Sequence, residues 1–343
     1  MYKAMRNTLS AQSPAKETAG HRRSAVYWLA VVTLVLEFFV NTMGFIDTRT
    51  NSSEGMGRAW PFSSNGLLPA HWQQAAAIEF THRAVVFVFM VLLVTVSVWA
   101  WRRYRAYVEV KVFISVAVLF VLAEAALGAM AVLFVNPPAV TATHMGIALV
   151  SFGAVLCLTQ TIGQIDQSGG PEARPALRGE LPDKAFARWA WFTLPYLLFA
   201  IYFGAYVAST GAGGRFQGWP LPTETYQHAG VAFIIDVTHR SLALGLLLFM
   251  VLLTVKSYRM RDAYPRLFRQ CRTSLILVVL QAFSGWLLIY TELSLTAFLI
   301  HVTIVTFMFA SMCSVCVRSL PEPKRRFGSE DPAGAKARRV AHV

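Results

Sequence analysis

Eight long apolar blocks constrain this chain more than any other feature. They cover residues 26–46, 75–101, 112–135, 140–162, 189–208, 231–255, 274–290 and 293–317, and each reaches the roughly 17–25 residues that a helix needs to cross a bilayer. A helix satisfies its own backbone hydrogen bonds in lipid, and none of the blocks alternates every second residue as a barrel strand does. The blocks predict an all-α membrane protein with eight transmembrane helices. Only 136–139 separate the third and fourth blocks, and about two residues at 291–292 the seventh and eighth, so those pairs are antiparallel neighbours.

A net charge of +13 raises the question of nucleic acid, and the placement of the 31 Lys and Arg answers it. Five lie in the N-terminal tail, four, four and six follow the second, fourth and sixth blocks, and seven lie from Arg318 onward. The opposite side has Arg49, Arg58 and Arg215, with Arg83 and Arg240 just inside the membrane. A split of 26 against five places both termini in the cytoplasm by the positive-inside rule, which suits a cell inner membrane. The basic charge reports topology, and no nucleic-acid partner is expected.

Residues 1–24 lack the apolar core of a signal peptide, so the first helix is expected to be retained. The Pro-, Gly- and charge-rich stretch 319–343 is expected to be a disordered tail. Cys157, Cys271, Cys313 and Cys316 all fall in or beside the blocks, so no disulfide is expected outside the membrane. Cys313 and Cys316, with no second pair nearby, read as packing residues.

The chain is also internally duplicated. Ile78-Glu79-Phe80-Thr81-His82-Arg83 returns 157 positions later as Ile235-Asp236-Val237-Thr238-His239-Arg240, and the same offset carries Gly128 to Gly285, His144 to His301, and Glu124 to Gln281. Each copy holds an even number of blocks, so the repeats are parallel rather than inverted. Two four-helix bundles follow: 26–163 and 189–318, joined by a linker at 164–188 and preceded by a tail at 1–25. In each copy a Gly-rich outer loop carries a Trp-Pro pair, Trp60-Pro61 or Trp219-Pro220, which folds over the mouth of its bundle or anchors at the interface.

Ionisable groups in a membrane are expensive and usually functional. His82, His144, His239 and His301 lie at similar depths, one pair per bundle. Two histidines with no third ligand at that depth leave a tetrahedral zinc site short, whereas axial ligation of a haem needs only two. Arg83 and Arg240 either meet haem propionates or snorkel to headgroups. Glu79 and Asp236, three residues before a histidine, could take a proton, orient that histidine, or cap the helix.

Taken together, these residues resemble the heme A synthases, eight-helix membrane enzymes with two four-helix halves and one histidine on each of helices two, four, six and eight. Glu79-Phe80-Thr81-His82-Arg83 is similar to that family's helix-two motif. Thr143-His144, Asp236-Val237-Thr238-His239-Arg240 and His301 fall where its other histidines belong, and the likeness spans residues 26 to 318. The resemblance implies oxidation of the methyl group of heme O to the formyl group of heme A for terminal oxidases. It implies haem b on His239 and His301, substrate heme O on His82 and His144, and a part in the chemistry for Glu79. It leaves room for heme O synthase, an electron-transfer protein and an oligomer as partners. Many members carry a cysteine pair in the first outer loop, and this sequence has none there.

A quinone-linked di-haem b cytochrome is the main alternative, since bis-histidine iron is a natural electron carrier. A transporter is the third. The exchanges of Glu79 for Asp236 and Glu124 for Gln281 make the two pockets chemically unequal, which favours the enzyme.

Overall fold

The computed structural model describes residues 22–321 apart from 65, 135–136, 175 and 179–182. The expected disorder of 319–343 and the tail at 1–25 therefore fall almost wholly outside the described residues. Among the described residues eight helices are long and apolar enough to span a membrane: α1 (Ala25–Arg49), α2 (Gln74–Arg103), α3 (Val108–Leu133), α4 (Pro138–Gln167), α5 (Lys184–Ser209), α6 (Val231–Arg259), α7 (Pro265–Tyr290) and α8 (Leu295–Arg318). This is the multi-pass all-α architecture that the apolar blocks predict. The helices run a few residues past most of the blocks because polar caps and basic last turns add to them.

Those ends have local causes. The Ser24 side chain accepts from the Tyr27 amide at the start of α1, Asp183 accepts from Ala185 at α5, and Ser294 accepts from Ala297 at α8. Pro138 and Pro265 occupy first turns, where a missing N–H costs nothing. The α7–α8 turn is tight, with Glu292 and Leu293 both at positive φ.

The first four helices pack as α1 on α2, α1 on α4 and α3 on α4, with a lighter α2–α3 contact, and the last four make the same pairs but with a much closer α6–α7 contact. The halves meet through α4 against α5, α4 against α8, and α1 against α8. In their most apolar stretch α4 and α8 are 72% and 56% buried, against 17–28% for the other six, so this pair forms the centre and the rest face lipid. Small residues permit the approach. A Cβ on Gly153 would lie 2.8 Å from Cys313 Sγ and 3.1 Å from Phe309 Cε1, both on α8. Cys157, Cys271 and Cys316 are buried, and the Cys316 thiol donates to the Ala190 carbonyl at 3.3 Å, which agrees with a packing role.

Side-chain ties fix the two ends. Tyr104 donates to Asp166 at 2.7 Å, the Ser24 amide donates to the same carboxylate at 2.8 Å, and Ser24 Oγ lies 2.8 Å from the phenol, joining α1, α2 and α4. Burial, together with Asp166, pushes the Tyr104 phenol up to about 12, so it remains a donor. At the other end Arg49 donates to the Leu293 carbonyl at 2.6 Å, which ties α1 to the α7–α8 turn.

Candidate functional site

The four histidines sit at closely matched depth. His82 and His239 each lie eight residues past the start of α2 and α6, and His144 and His301 each lie six past the start of α4 and α8. At about 1.5 Å per residue, that is roughly 9–12 Å along each helix.

In the first half a cavity of about 1250 Å³ opens among α1–α4, lined by His82, His144, Glu37, Asn41, Glu79, Arg83 and Glu124. This exceeds the roughly 300–1,000 Å³ of drug-sized pockets, so the space suits a ligand on the scale of a tetrapyrrole. Trp60, Pro61, Phe62 and Leu67 of the 50–73 loop close one end.

Each histidine is held differently. The His82 ring stacks on the backbone of α1, where a Cβ added to Gly44 would lie 3.2 Å from its Cε1. Its Nδ1 is buried, and the nearby Val40 carbonyl stops short of a hydrogen bond to it. His144 Nδ1 lies 2.9 Å from Glu124 Oε2, an ion-pair contact that favours the ring proton on Nδ1, although the N–H is not aligned with the oxygen for a hydrogen bond.

The second half repeats the α1 contact and changes the other. A Cβ on Gly204 of α5 would lie 2.8 Å from His239 Cε1, and the Ala200 carbonyl stands where Val40 stands in the first half. At His301 the hydrogen bonds fix the tautomer. Ser284 donates its hydroxyl proton to the Gln281 carbonyl at 2.8 Å, so its oxygen accepts from His301 Nδ1 at 2.9 Å. The Nε2 lone pair then accepts from the Gln281 amide at 2.9 Å.

Glu79 and Asp236 do not orient the histidines. Each turns instead to the arginine four residues on, because i and i+4 share a helix face and the arginine is itself drawn inward by loop carbonyls. Glu79, 2% exposed, pairs with Arg83 Nη2 and accepts from the Met56 amide at 2.6 Å. Arg83 Nη1 donates to the carbonyls of Ala59, Pro61 and Phe62 at 3.0–3.1 Å. Asp236 accepts from Arg240 Nε at 2.6 Å, and Arg240 Nη1 donates to the carbonyls of Gly218 and Pro220 at 2.5 and 3.1 Å. In both halves an acid–arginine pair thus clamps the Trp-Pro segment over the bundle, which decides the loop question for the first half in favour of a cover.

Residues 26–313 match the family described as cytochrome oxidase assembly protein. The chain belongs to that family. Relatives include proteins named heme A synthase from Staphylococcus saprophyticus, 31% identical over 82% of this chain and 91% of the relative, and from Macrococcus caseolyticus, 28% identical over 83% and 94%. A third, from Staphylococcus epidermidis, is 27% identical over 84% of this chain and 93% of its own.

For a cytochrome oxidase assembly protein the group to test against these residues is haem, and they fit it. Among the described residues no three His, Cys, Asp or Glu side chains gather into a metal cage, whereas a pair of imidazoles at one depth in each half suits axial ligation; at His301 the Gln281 amide holds the Nε2 lone pair that a metal would take. The sites also contain residues that the sequence reading passed over. Gly44 and Gly204 sit 160 positions apart rather than 157, since the first outer loop is three residues longer than the second, so the repeat offset alone does not align them. Glu37 and Asn41 were hidden in an apolar block. Ser284 has no polar counterpart, because Leu127 stands 157 residues earlier.

Proposed function

We infer that this chain is a heme A synthase, a membrane-bound oxidoreductase that converts the methyl group of heme O to the formyl group of heme A for terminal oxidase assembly. The observation that carries the reading is the placement of His82, His144, His239 and His301 at matched depth on α2, α4, α6 and α8. In a chain akin over more than four-fifths of its length to proteins named heme A synthase, those pairs have a ready purpose.

In this reading residues 189–318 hold a haem b cofactor on His239 and His301, and residues 26–163 hold the substrate heme O on His82 and His144, with 164–188 as linker. The unequal surroundings of the pairs support that division. The first cavity carries Glu37, Glu79 and Glu124, whereas Asp236 is the acid of the second site and it is bound to Arg240. Two equivalent electron-carrier sites would not need that difference.

Bound haem b supplies one-electron redox chemistry at the second site. The chain's own residues do the rest. Glu124 draws the His144 proton to Nδ1 and keeps Nε2 free to ligate. Arg83 and Arg240, at the loop end of their sites, place positive charge where propionates would lie, while their remaining donors hold the loops closed. Glu79 stands at that same end and takes up protons released as the methyl group is oxidised, in exchange with Arg83 and the loop. The 26-to-five charge split supports an inner-membrane protein with both termini in the cytoplasm. Heme O is the substrate partner, and heme O synthase, an electron-transfer protein and a second copy are further partners to seek.

Extraction and chromatography of the haems from purified protein tests the reading. Haem B together with O or A is expected, and B alone in both sites would replace the synthase with an electron-transfer cytochrome. His239→Ala and His301→Ala should each remove or shift the haem b absorbance; unchanged spectra from both would overturn the ligand assignment.

A further inference from the structure

The first cavity has a polar end that neither histidine uses. Glu37 lies ten residues before Asp47 on α1, about 15 Å further from the 50–73 loop. It is 2% exposed. Its Oε1 accepts from Ser151 at 2.6 Å, and its Oε2 is buried with no hydrogen-bond partner. Asn41, one turn along the same helix face, has a buried Nδ2 that is also without a partner. Glu37, Asn41 and Ser151 all line the cavity.

A buried acceptor and a buried donor left open together call for one complementary group, because each unmatched polar atom leaves its desolvation cost unrecovered. A hydroxyl supplies both halves: it donates to Glu37 Oε2 and accepts from Asn41 Nδ2. A carbonyl would satisfy only the asparagine, and an ammonium only the glutamate. An apolar substituent would satisfy neither.

The second half lacks this end altogether. Aligned through the glycines that face His82 and His239, Glu37 corresponds to Leu197 and Asn41 to Ile201; aligned through His144 and His301, Ser151 corresponds to Met308. All three replacements belong to the apolar core of that half.

We propose that Glu37, Asn41 and Ser151 form a hydroxyl-recognising site that selects a hydroxyalkyl-bearing haem at the His82–His144 pair, while Leu197, Ile201 and Met308 suit a haem with only apolar substituents at that end. Heme O differs from haem b in carrying a hydroxyalkyl chain in place of a vinyl group, so the site discriminates between the two molecules that the protein must keep apart. The inference rests on the assignment of His82 and His144 to the substrate.

The test is titration of the purified full-length protein with heme O and with iron protoporphyrin IX, following the absorbance of the first site. Wild type should prefer heme O, and Glu37→Leu should reduce that preference several-fold, up to about 10-fold, the range expected for losing one hydrogen bond. Glu37→Gln, which keeps an acceptor, should retain part of it. An unchanged haem b spectrum from the His239–His301 site confirms that each variant is folded. If Glu37→Leu does not accumulate, Asn41→Leu and Ser151→Ala are read in the same way. A variant that keeps the wild-type preference overturns the inference, as does a wild type that converts heme O yet binds both haems equally. Failure to find heme O or A in any preparation would instead overturn the functional reading beneath it.

Discussion

Glu124 Oε2 meets His144 Nδ1 at 2.9 Å, and in the second half the Ser284 hydroxyl meets His301 Nδ1 at the same distance. A carboxylate acceptor makes an imidazole more electron-rich than a hydroxyl does, so His144 is the stronger donor to a metal. Glu124→Gln should therefore weaken haem binding at the His82–His144 pair by about 10- to 100-fold and raise the midpoint potential of the haem held there. Haem titration and a redox titration read the two effects. A potential identical to wild type would show that the glutamate is a spectator.

The acid–arginine clamps make a prediction about loop order. Arg83 holds three carbonyls of the 50–73 loop and Glu79 holds the Met56 amide, so removing either should free the same segment. In hydrogen exchange, Glu79→Ala should speed exchange at Met56 and its neighbours by at least 10-fold, while amides in the middle of α2 stay protected. Glu79→Gln keeps an acceptor for Met56 and should loosen the loop less, yet it should still leave heme O unconverted if the carboxylate takes up protons. Turnover at the wild-type rate by Glu79→Gln would leave the residue with the clamp alone.

Much of this arrangement was legible in the chain itself, because membrane helices and their duplication write strong periodic signals. The eight spans, the four histidines and the antiparallel turns all follow from block length and a fixed repeat. The partners of the histidines were not legible, since they depend on which helix faces which. Glu79 lies three residues from His82 in sequence, yet the carboxylate that reaches a histidine is Glu124 on α3, brought to His144 by the α3–α4 packing. Glu37 is a single acid inside an apolar block, and nothing local marks it as facing a cavity rather than packing against a neighbour.

Topology can be checked against a quiet background, because three of the four native cysteines are buried and Cys313 is partly so. Cysteines introduced at Ser64 and Leu221, both exposed in the loops before α2 and α6, should react with an impermeant thiol reagent in intact cells. One introduced at Asp262, whose side chain is 93% exposed between α6 and α7, should react only after lysis. The opposite pattern would invert the protein and move both histidine pairs to the inner half of the membrane.

The last prediction concerns the glycines beneath His82 and His239. Each sits inside a helix, five residues before its last residue, where glycine costs up to about 1 kcal/mol relative to alanine, so its presence needs a reason other than helix formation. The reason is room for an imidazole. An added Cβ would stand 3.2 Å from His82 Cε1 at Gly44 and 2.8 Å from His239 Cε1 at Gly204, and the second distance is too short for any carbon pair. Each ring lies close against the neighbouring helix backbone on the glycine side, so an added Cβ has to displace it. Gly204→Ala must therefore push His239 or separate α5 from α6, at the roughly 1–3 kcal/mol typical of overpacking. The displacement acts directly on a ligating ring, so the haem b of the second site should be lost or show a shifted absorbance at a protein yield near wild type. Gly44→Ala, with 0.4 Å more space, should produce a milder version at His82. A Gly204→Ala protein with full haem b content and a wild-type spectrum would mean that the ring has freedom the packing denies it, and that the glycine serves helix approach alone.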